Sequence, residues 1–447
     1  MAARLVPRPL PGHGVRTVPF SFPLPGSRGF RRAATLFLLP LGLAAAESHL
    51  ALREEALAAY QRRDYVAARE ATAAALALQP DSPRYLRQLA ALAALTGRPD
   101  EAIGYLRRIA ALGLAANVDR DPDFASLQGT PAFRAVLAQL AAHRAPQGAA
   151  ELYAELPGRT GLIEGIAFRE RTGEVFLGDV HHRCIWRRDR SGRVERYSAE
   201  DEELLGIFGL ALDEPRGLLW AAMSAVPEMA GFDRELEGHA ALAAFSLASS
   251  ELVRVVHVPV DGRPHGLGDL AVGADGAVYA TDSKSPVIWR LAPDAEELEA
   301  WVESPAFGSL QGLVIEDRRL LVADFEHGLF VVSLDARDLR PVAAPAGTTL
   351  LGLDGLVATP GGVIAVQNGV DPPRLLRLGF EPGFHALRRV QVVAAGLPDF
   401  TDLTLVTTVR DQPLVVAGSG WETLAASRGR IPPAHAVRLF LVPLPAE

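Results

Sequence analysis

The chain has 447 residues, 49% hydrophobic and 22% charged, with a single cysteine (Cys184), a single lysine (Lys284) and a formal net charge of −8. This is the composition of a folded globular protein, long enough for two or three domains that bury cores without covalent staples. One cysteine excludes an intramolecular disulfide framework and a thiolate metal cluster, and the excess of acid argues against a nucleic-acid surface.

Residues 1–46 carry six arginines (Arg4, Arg8, Arg16, Arg28, Arg31 and Arg32) and no Asp or Glu. Arg31-Arg32 is followed by an apolar run from Ala33 to Leu43 and then by Ala44-Ala45-Ala46. A basic flank, a short apolar stretch and an A-x-A ending describe a secretory signal cleaved after Ala46. The run is too short to span a bilayer, is broken by Pro40 and Gly42, and no later segment is apolar enough to span one. The expectation is a periplasmic or secreted protein that is not membrane-spanning once processed. Its mature chain, from residue 47, carries −14.

Over residues 47–145 the pattern is helical. Asp64-Tyr65-Val66-Ala67-Ala68, with Ala75 and Pro80, repeats thirty-four residues on as Arg98-Pro99-Asp100-Glu101-Ala102, with Ile109 and Leu114. Ala56, Ala59, Ala68 and Ala75 take the small positions of the first repeat, and Ala90, Ala93 and Ala102 those of the second. The period and the small residues resemble the tetratricopeptide (TPR) repeat, in which helix pairs stack through close contacts. Between Asp121 and His143, Phe124, Leu127, Phe133 and Leu137 fall at helical spacings, as in a pair of closing helices. Such a unit offers either a groove for a protein or peptide partner, or a spacer packed on the downstream domain.

Residues 146–447 change to strand period. Six segments share one layout and open at Glu164, Phe208, Gly268, Gln311, Asp354 and Thr401, at intervals of 44, 60, 43, 43 and 47 residues. Several short strands per unit at a period of about 40–50 predict a six-bladed β-propeller. The long second interval leaves room for an insertion around Met223 to His239, and a second insertion runs from Trp421 to Pro433. Leu152-Tyr153-Ala154 has no blade of its own and is expected to pair with the last readable strand, Val437 to Leu441, closing the ring. The expected fold class is therefore α + β multidomain: a short TPR-like helical repeat domain followed by an all-β propeller.

In a propeller, the starts of first strands and the ends of second strands meet at one end of the channel. Glu164, Asp179, Asp269, Asp282, Gln311, Asp324, Asp354, Asn368 and Asp402 are expected there, with His181, His182, His265 and His327 in nearby loops. Oxygen ligands from several blades suit a hard cation such as Ca²⁺. Asp179, Asp282 and Asp324 recur at one blade position, however, and recurrence suits a turn-capping role. Glu164, Gln311 and Asp354 share an equivalent position but differ between blades, which suits chemistry.

Through the Glu-Gly-apolar opening at Glu164 and the Asp-Gly opening at Asp354, residues 150–445 resemble the SMP-30/gluconolactonase family of six-bladed propellers. The resemblance implies a divalent cation, usually calcium, bound by Glu164 and Asp354, with Asp354 also the base in lactone or ester hydrolysis. Gln311 and Asp269 stand where that family carries asparagines. No G-x-S-x-G elbow or HExxH motif is present, and Cys184 lies in an apolar strand as a buried thiol. Two functions are open to such a chain: an interaction module of the cell envelope, with a small-molecule ligand at the channel, or a Ca²⁺-dependent lactone or ester hydrolase.

Overall fold

Side-chain caps and prolines start the helices. Ser48, Asp64, Ser82 and Thr130 each accept a backbone N–H of the first turn, and Pro83, Pro99 and Pro131 occupy N1, where their missing N–H costs nothing. These signals delimit α1 His49–Gln61, α2 Tyr65–Leu78, α3 Pro83–Leu95, α4 Pro99–Ala111 and α5 Pro131–Ala142. Gly97 and Gly113, with φ of 71° and 70°, end α3 and α4 in the left-handed conformation. The computed structural model describes residues 48–158, 160–426 and 436–445. The expected signal, residues 1–46, and the latter part of the second insertion lie outside these.

The two helical hairpins, α1–α2 and α3–α4, start thirty-four residues apart, the period read from the sequence. All seven small-position alanines are fully buried, so each permits the close helix contact that a larger side chain would prevent. Phe124 and Phe133 stack with centroids 6.1 Å apart and close the helical core, although Pro122–Leu127 is a 3₁₀ turn and not a full helix.

Six antiparallel sheets come next in the chain. Their innermost strands are Ile163–Arg169, Gly206–Asp213, Leu267–Val272, Leu310–Glu316, Leu353–Thr359 and Val406–Val409. Ring closure is as expected: Glu151–Glu155 is the outer strand of the sixth blade and pairs with Arg438–Leu441. The linker does more than the sequence suggests, since Gln147–Gly148 adds a fifth strand to blade five. The sixth blade differs from expectation as well. Its inner strand begins at Val406, because Asp402 turns into the left-handed region (φ 50°) and its carboxylate caps the loop around Trp421 through the N–H groups of Gly420 and Glu422.

Helices and propeller belong to one compact unit. Glu326, in the turn after the second strand of blade four, is held by Arg53 of α1 at 2.8 Å and Arg84 of α3 at 3.2 Å, and its carbonyl accepts from Gln79. On blade five, Asp371 pairs with Arg144 and its carbonyl accepts the Ala115 N–H at 2.7 Å. No helix among the described residues is long and apolar enough to cross a membrane.

Candidate metal and active site

Each of the first five inner strands carries one extra residue relative to its neighbour just inside its start, between Ile163 and Ile166, Ile207 and Leu210, Leu267 and Leu270, Leu310 and Leu313, and Leu353 and Leu356. A β-bulge re-aims side chains, and this one falls at Glu164, Phe208, Gly268, Gln311 and Asp354. The glycine after it in four of the blades is a packing requirement. A Cβ on Gly165 would lie 1.9 Å from the Phe208 carbonyl oxygen, and one on Gly312 would lie 2.3 Å from that of Asp354. Neighbouring inner strands approach too closely for a side chain there, whereas the residue before the glycine differs from blade to blade.

Those variable residues line a cavity of about 170 Å³ at one end of the channel. Glu164, Asp269, Gln311 and Asp354, the four residues selected from the sequence, all line it, together with Phe208, Val226, Lys284, Leu405 and Trp421. Asp269 sits one position later than the other three, in place of the glycine. It also borders the apolar channel below, and it accepts the backbone N–H groups of Leu270 and Leu313.

Three acids lining one cavity are costly to ionise together. Burial, and next the neighbouring Asp354, pushes Glu164 well above the usual carboxylate range, against a hydrogen bond from Trp421. Burial raises Asp269 to about 8 and Asp354 to about 6, the latter despite a hydrogen bond from Asn368.

The remaining candidates lie elsewhere. Asp179, Asp282 and Asp324 are buried turn caps. Asp282 alone accepts N–H groups from Gly266, Lys284, Ser285, the Trp289 indole and His265. His182 is bonded to Asp179, and His181 reaches the Glu228 carbonyl. His265 bonds to Asp282 and Asp261, and His327 faces α1. None of the four lines the cavity. Burial pushes the Cys184 thiol up to about 12, which leaves it inert at neutral pH.

Sequence spacing aligns Asn368 with the capping aspartates. Strand pairing instead sets Gln367 opposite Leu353, where the other blades set Asp179, Asp282 and Asp324 opposite Ile163, Leu267 and Leu310. Asn368 is therefore one residue further on, and its amide donates to Asp354 Oδ2 at 2.5 Å and to the Leu403 carbonyl at 2.9 Å. Its Oδ1 is buried without a hydrogen-bond partner. Asn368 was expected at this end of the channel, though aligned with the capping aspartates; Trp421 was not anticipated there. It opens the short helix α6, Trp421–Ala426, in the blade-six insertion, and its indole N–H donates to Glu164 Oε2 at 2.5 Å. An aromatic residue opening an insertion was the only signal for it.

Four oxygens consequently have no donor among the described residues: Glu164 Oε1, Asp354 Oδ1, Asn368 Oδ1, and Gln311 Oε1, whose own amide nitrogen is engaged with Ser309. An all-oxygen donor set with paired acids fits a hard cation. Among the described residues no three His, Cys, Asp or Glu side chains close on one point. A cation here would therefore be held by two carboxylates and by amide oxygens, not by a cage of acids.

No family model and no curated protein matches the chain. Among solved structures, it is similar to a gluconolactonase from Xanthomonas campestris (16% identity, TM-score 0.46, covering 68% of this chain and 93% of that one). It is also similar to an aldose sugar dehydrogenase from Streptomyces coelicolor (17%, 0.45, 67% and 100%) and to virginiamycin B lyase from Staphylococcus aureus (11%, 0.45, 61% and 83%). At these identities the likeness is one of fold alone, and the three proteins bear the names of three different activities.

Proposed function

We propose that the propeller is a divalent-cation-dependent hydrolase of lactone or ester carbonyls, with calcium as the cation. The observation that carries this reading is the set of four donorless oxygens around two acids that burial and mutual repulsion keep from ionising easily. Glu164, Asp354, Asn368 and Gln311 would hold the ion, with Asp269 beside them. When bound, the cation relieves the repulsion between the acids and polarises a carbonyl oxygen. The chain's own residues do the rest. Asn368 and Trp421 fix the orientation of Asp354 and Glu164, and the Phe208, Val226 and Leu405 walls limit water. Asp354, ionised beside the cation, would take a proton from an attacking water.

The deciding experiment is a calcium titration by calorimetry of the purified protein and of Glu164→Gln/Asp354→Asn, followed by a lactone and ester panel. Binding that the double variant abolishes, with turnover that needs the ion, is the expected result; no heat of binding in the parent sinks the reading.

For the helical unit we infer a docking role over peptide capture. Its repeat period and buried alanines support a TPR-like identity, but His49, Arg53, Gln79 and Arg84 are already engaged by Glu326 and His327 of the propeller. We further infer export to the periplasm or beyond from the basic-apolar-A-x-A pattern of residues 1–46. The N-terminal mass of the protein recovered from cells tests it.

A further inference from the structure

Among the described residues, the cavity wall carries one cation. Lys284 follows Asp282 in the turn after the second strand of blade three, where Asp282 Oδ1 accepts the N–H groups of Lys284 and Ser285 at 3.0 Å each. That cap fixes the backbone from which the lysine departs. Its methylenes lie along Gly266: a Cβ placed there would meet Lys284 Cγ at 3.1 Å and Cδ at 3.3 Å. The stem is thus seated against the rim while the side chain as a whole stays exposed.

No acid lies within 4.0 Å of the Lys284 ammonium among the described residues, and it makes no hydrogen bond there, although Glu164, Asp269 and Asp354 line the same cavity. Many of the chain's arginines are paired; among the described residues this lysine is not. A compact ammonium on a seated stem, beside a cavity lined by acids and amides and without a partner among the described residues, is placed to meet an anion brought by the ligand. The other walls are apolar at Phe208, Val226 and Leu405.

We propose that Lys284 determines specificity in this cavity, and that the substrate is an acid: a small lactone or ester that carries a carboxylate, with its carbonyl toward Glu164 and Asp354 and its carboxylate on the Lys284 ammonium. The carbonyl half rests on the hydrolase reading; the anionic half does not.

Because the chain has one lysine, amine acetylation followed by peptide mapping reports on Lys284 apart from the N-terminal amine. The probes are pyroglutamate and 2-pyrrolidinone, two lactams of one ring that differ in a carboxylate, each added to the full-length protein with calcium. Saturating pyroglutamate is expected to slow Lys284 acetylation by about tenfold, and 2-pyrrolidinone to leave it unchanged. By calorimetry, Lys284→Met should weaken pyroglutamate binding about tenfold and Lys284→Arg should restore most of it. Equal protection by the two lactams, no protection by pyroglutamate, or unchanged affinity in Lys284→Met overturns the assignment. Turnover of γ-butyrolactone and of its carboxylate-bearing counterpart is measured alongside. Protection without any turnover removes the hydrolase reading and leaves Lys284 as an anion site; equal turnover of both lactones keeps the hydrolase and overturns Lys284.

Discussion

His49 Nε2 and His327 Nε2 lie 2.8 Å apart across the seam between α1 and blade four. Gln79 also donates to His49 Nε2 at 3.0 Å, and His49 Nδ1 meets the Tyr85 hydroxyl at 2.8 Å. The nitrogen at the centre of this contact must therefore be an acceptor, and His49 must be neutral. Burial, and then His327, lowers its pKa to about 4, with Arg53 acting in the same direction and Glu326 and Asp324 opposing. A histidine whose pKa falls on folding contributes stability that is complete above its unfolded value of about 6.5 and is lost as pH drops toward 4. Acidification across that window should loosen α1 from the propeller by on the order of 3 kcal/mol. Hydrogen exchange over residues 49–61 checks this: protection should fall with pH in the parent and stay level in His49→Gln.

The cavity acids have the opposite sign. Their folded pKa values are raised, so the folded state is favoured when they are protonated, and stability is lost as pH rises from about 4 toward 8. Asp269, at about 8, extends this window furthest. Asp269→Asn should gain at least about 1 kcal/mol over the parent at pH 8 and nothing at pH 4. Calcium should raise the parent's unfolding midpoint most at the alkaline end. Denaturation curves at the two pH values, with and without the ion, measure both.

Trp421 reaches Glu164 from 257 residues away and supplies the only donor to that carboxylate among the described residues. Trp421→Phe keeps an aromatic ring against Phe208 but removes the N–H. Calcium affinity should fall about tenfold, the scale of one hydrogen bond to a charged group. Calorimetry reads it directly, and an unchanged affinity would show that the indole does not orient the acid.

Gly165→Ala places a methyl group where the Phe208 carbonyl already sits. Since the obstacle is backbone, two inner strands must separate, and a loss of about 3 kcal/mol or more is expected. Thermal unfolding tests it against Gly217→Ala as control, a surface glycine with open space around it but a φ of 66°, where a cost of about 1 kcal/mol is expected.

Asp282→Ala strands five donors in a buried turn, a cost of about 3–5 kcal/mol by comparison with other broken buried charges. Urea denaturation should show it. A folded Asp324→Asn variant should still bind calcium with parental affinity, because the recurring aspartates serve the turns and not the cavity.

Much of the architecture could be read along the chain because its causes are local or periodic. Helix caps, the thirty-four-residue spacing of small residues, the recurring X-Gly openings and the orphan strand at Leu152 each leave a mark within a few positions. Glu164 and Asp354 were legible for the same reason: the bulge and the glycine recur, so a residue that varies at that point stands out. Spacing brings Asn368 to the right end of the channel but aligns it with the capping aspartates, because strand side chains alternate and a one-residue error in register exchanges a buried cap for a site residue. Trp421 carried only the mark of opening an insertion and Lys284 none, since what brings them to Glu164 and to the rim is ring closure and the folding of two turns from different blades. The seating of Glu326 and His327 against α1 is equally nonlocal: nothing near either residue announces a partner some 270 positions away. Periodicity specified the strands and the ring. Which oxygens were left without donors, and which cation without an anion, was decided by tertiary packing, because satisfaction of a polar group depends on every chain segment that reaches it.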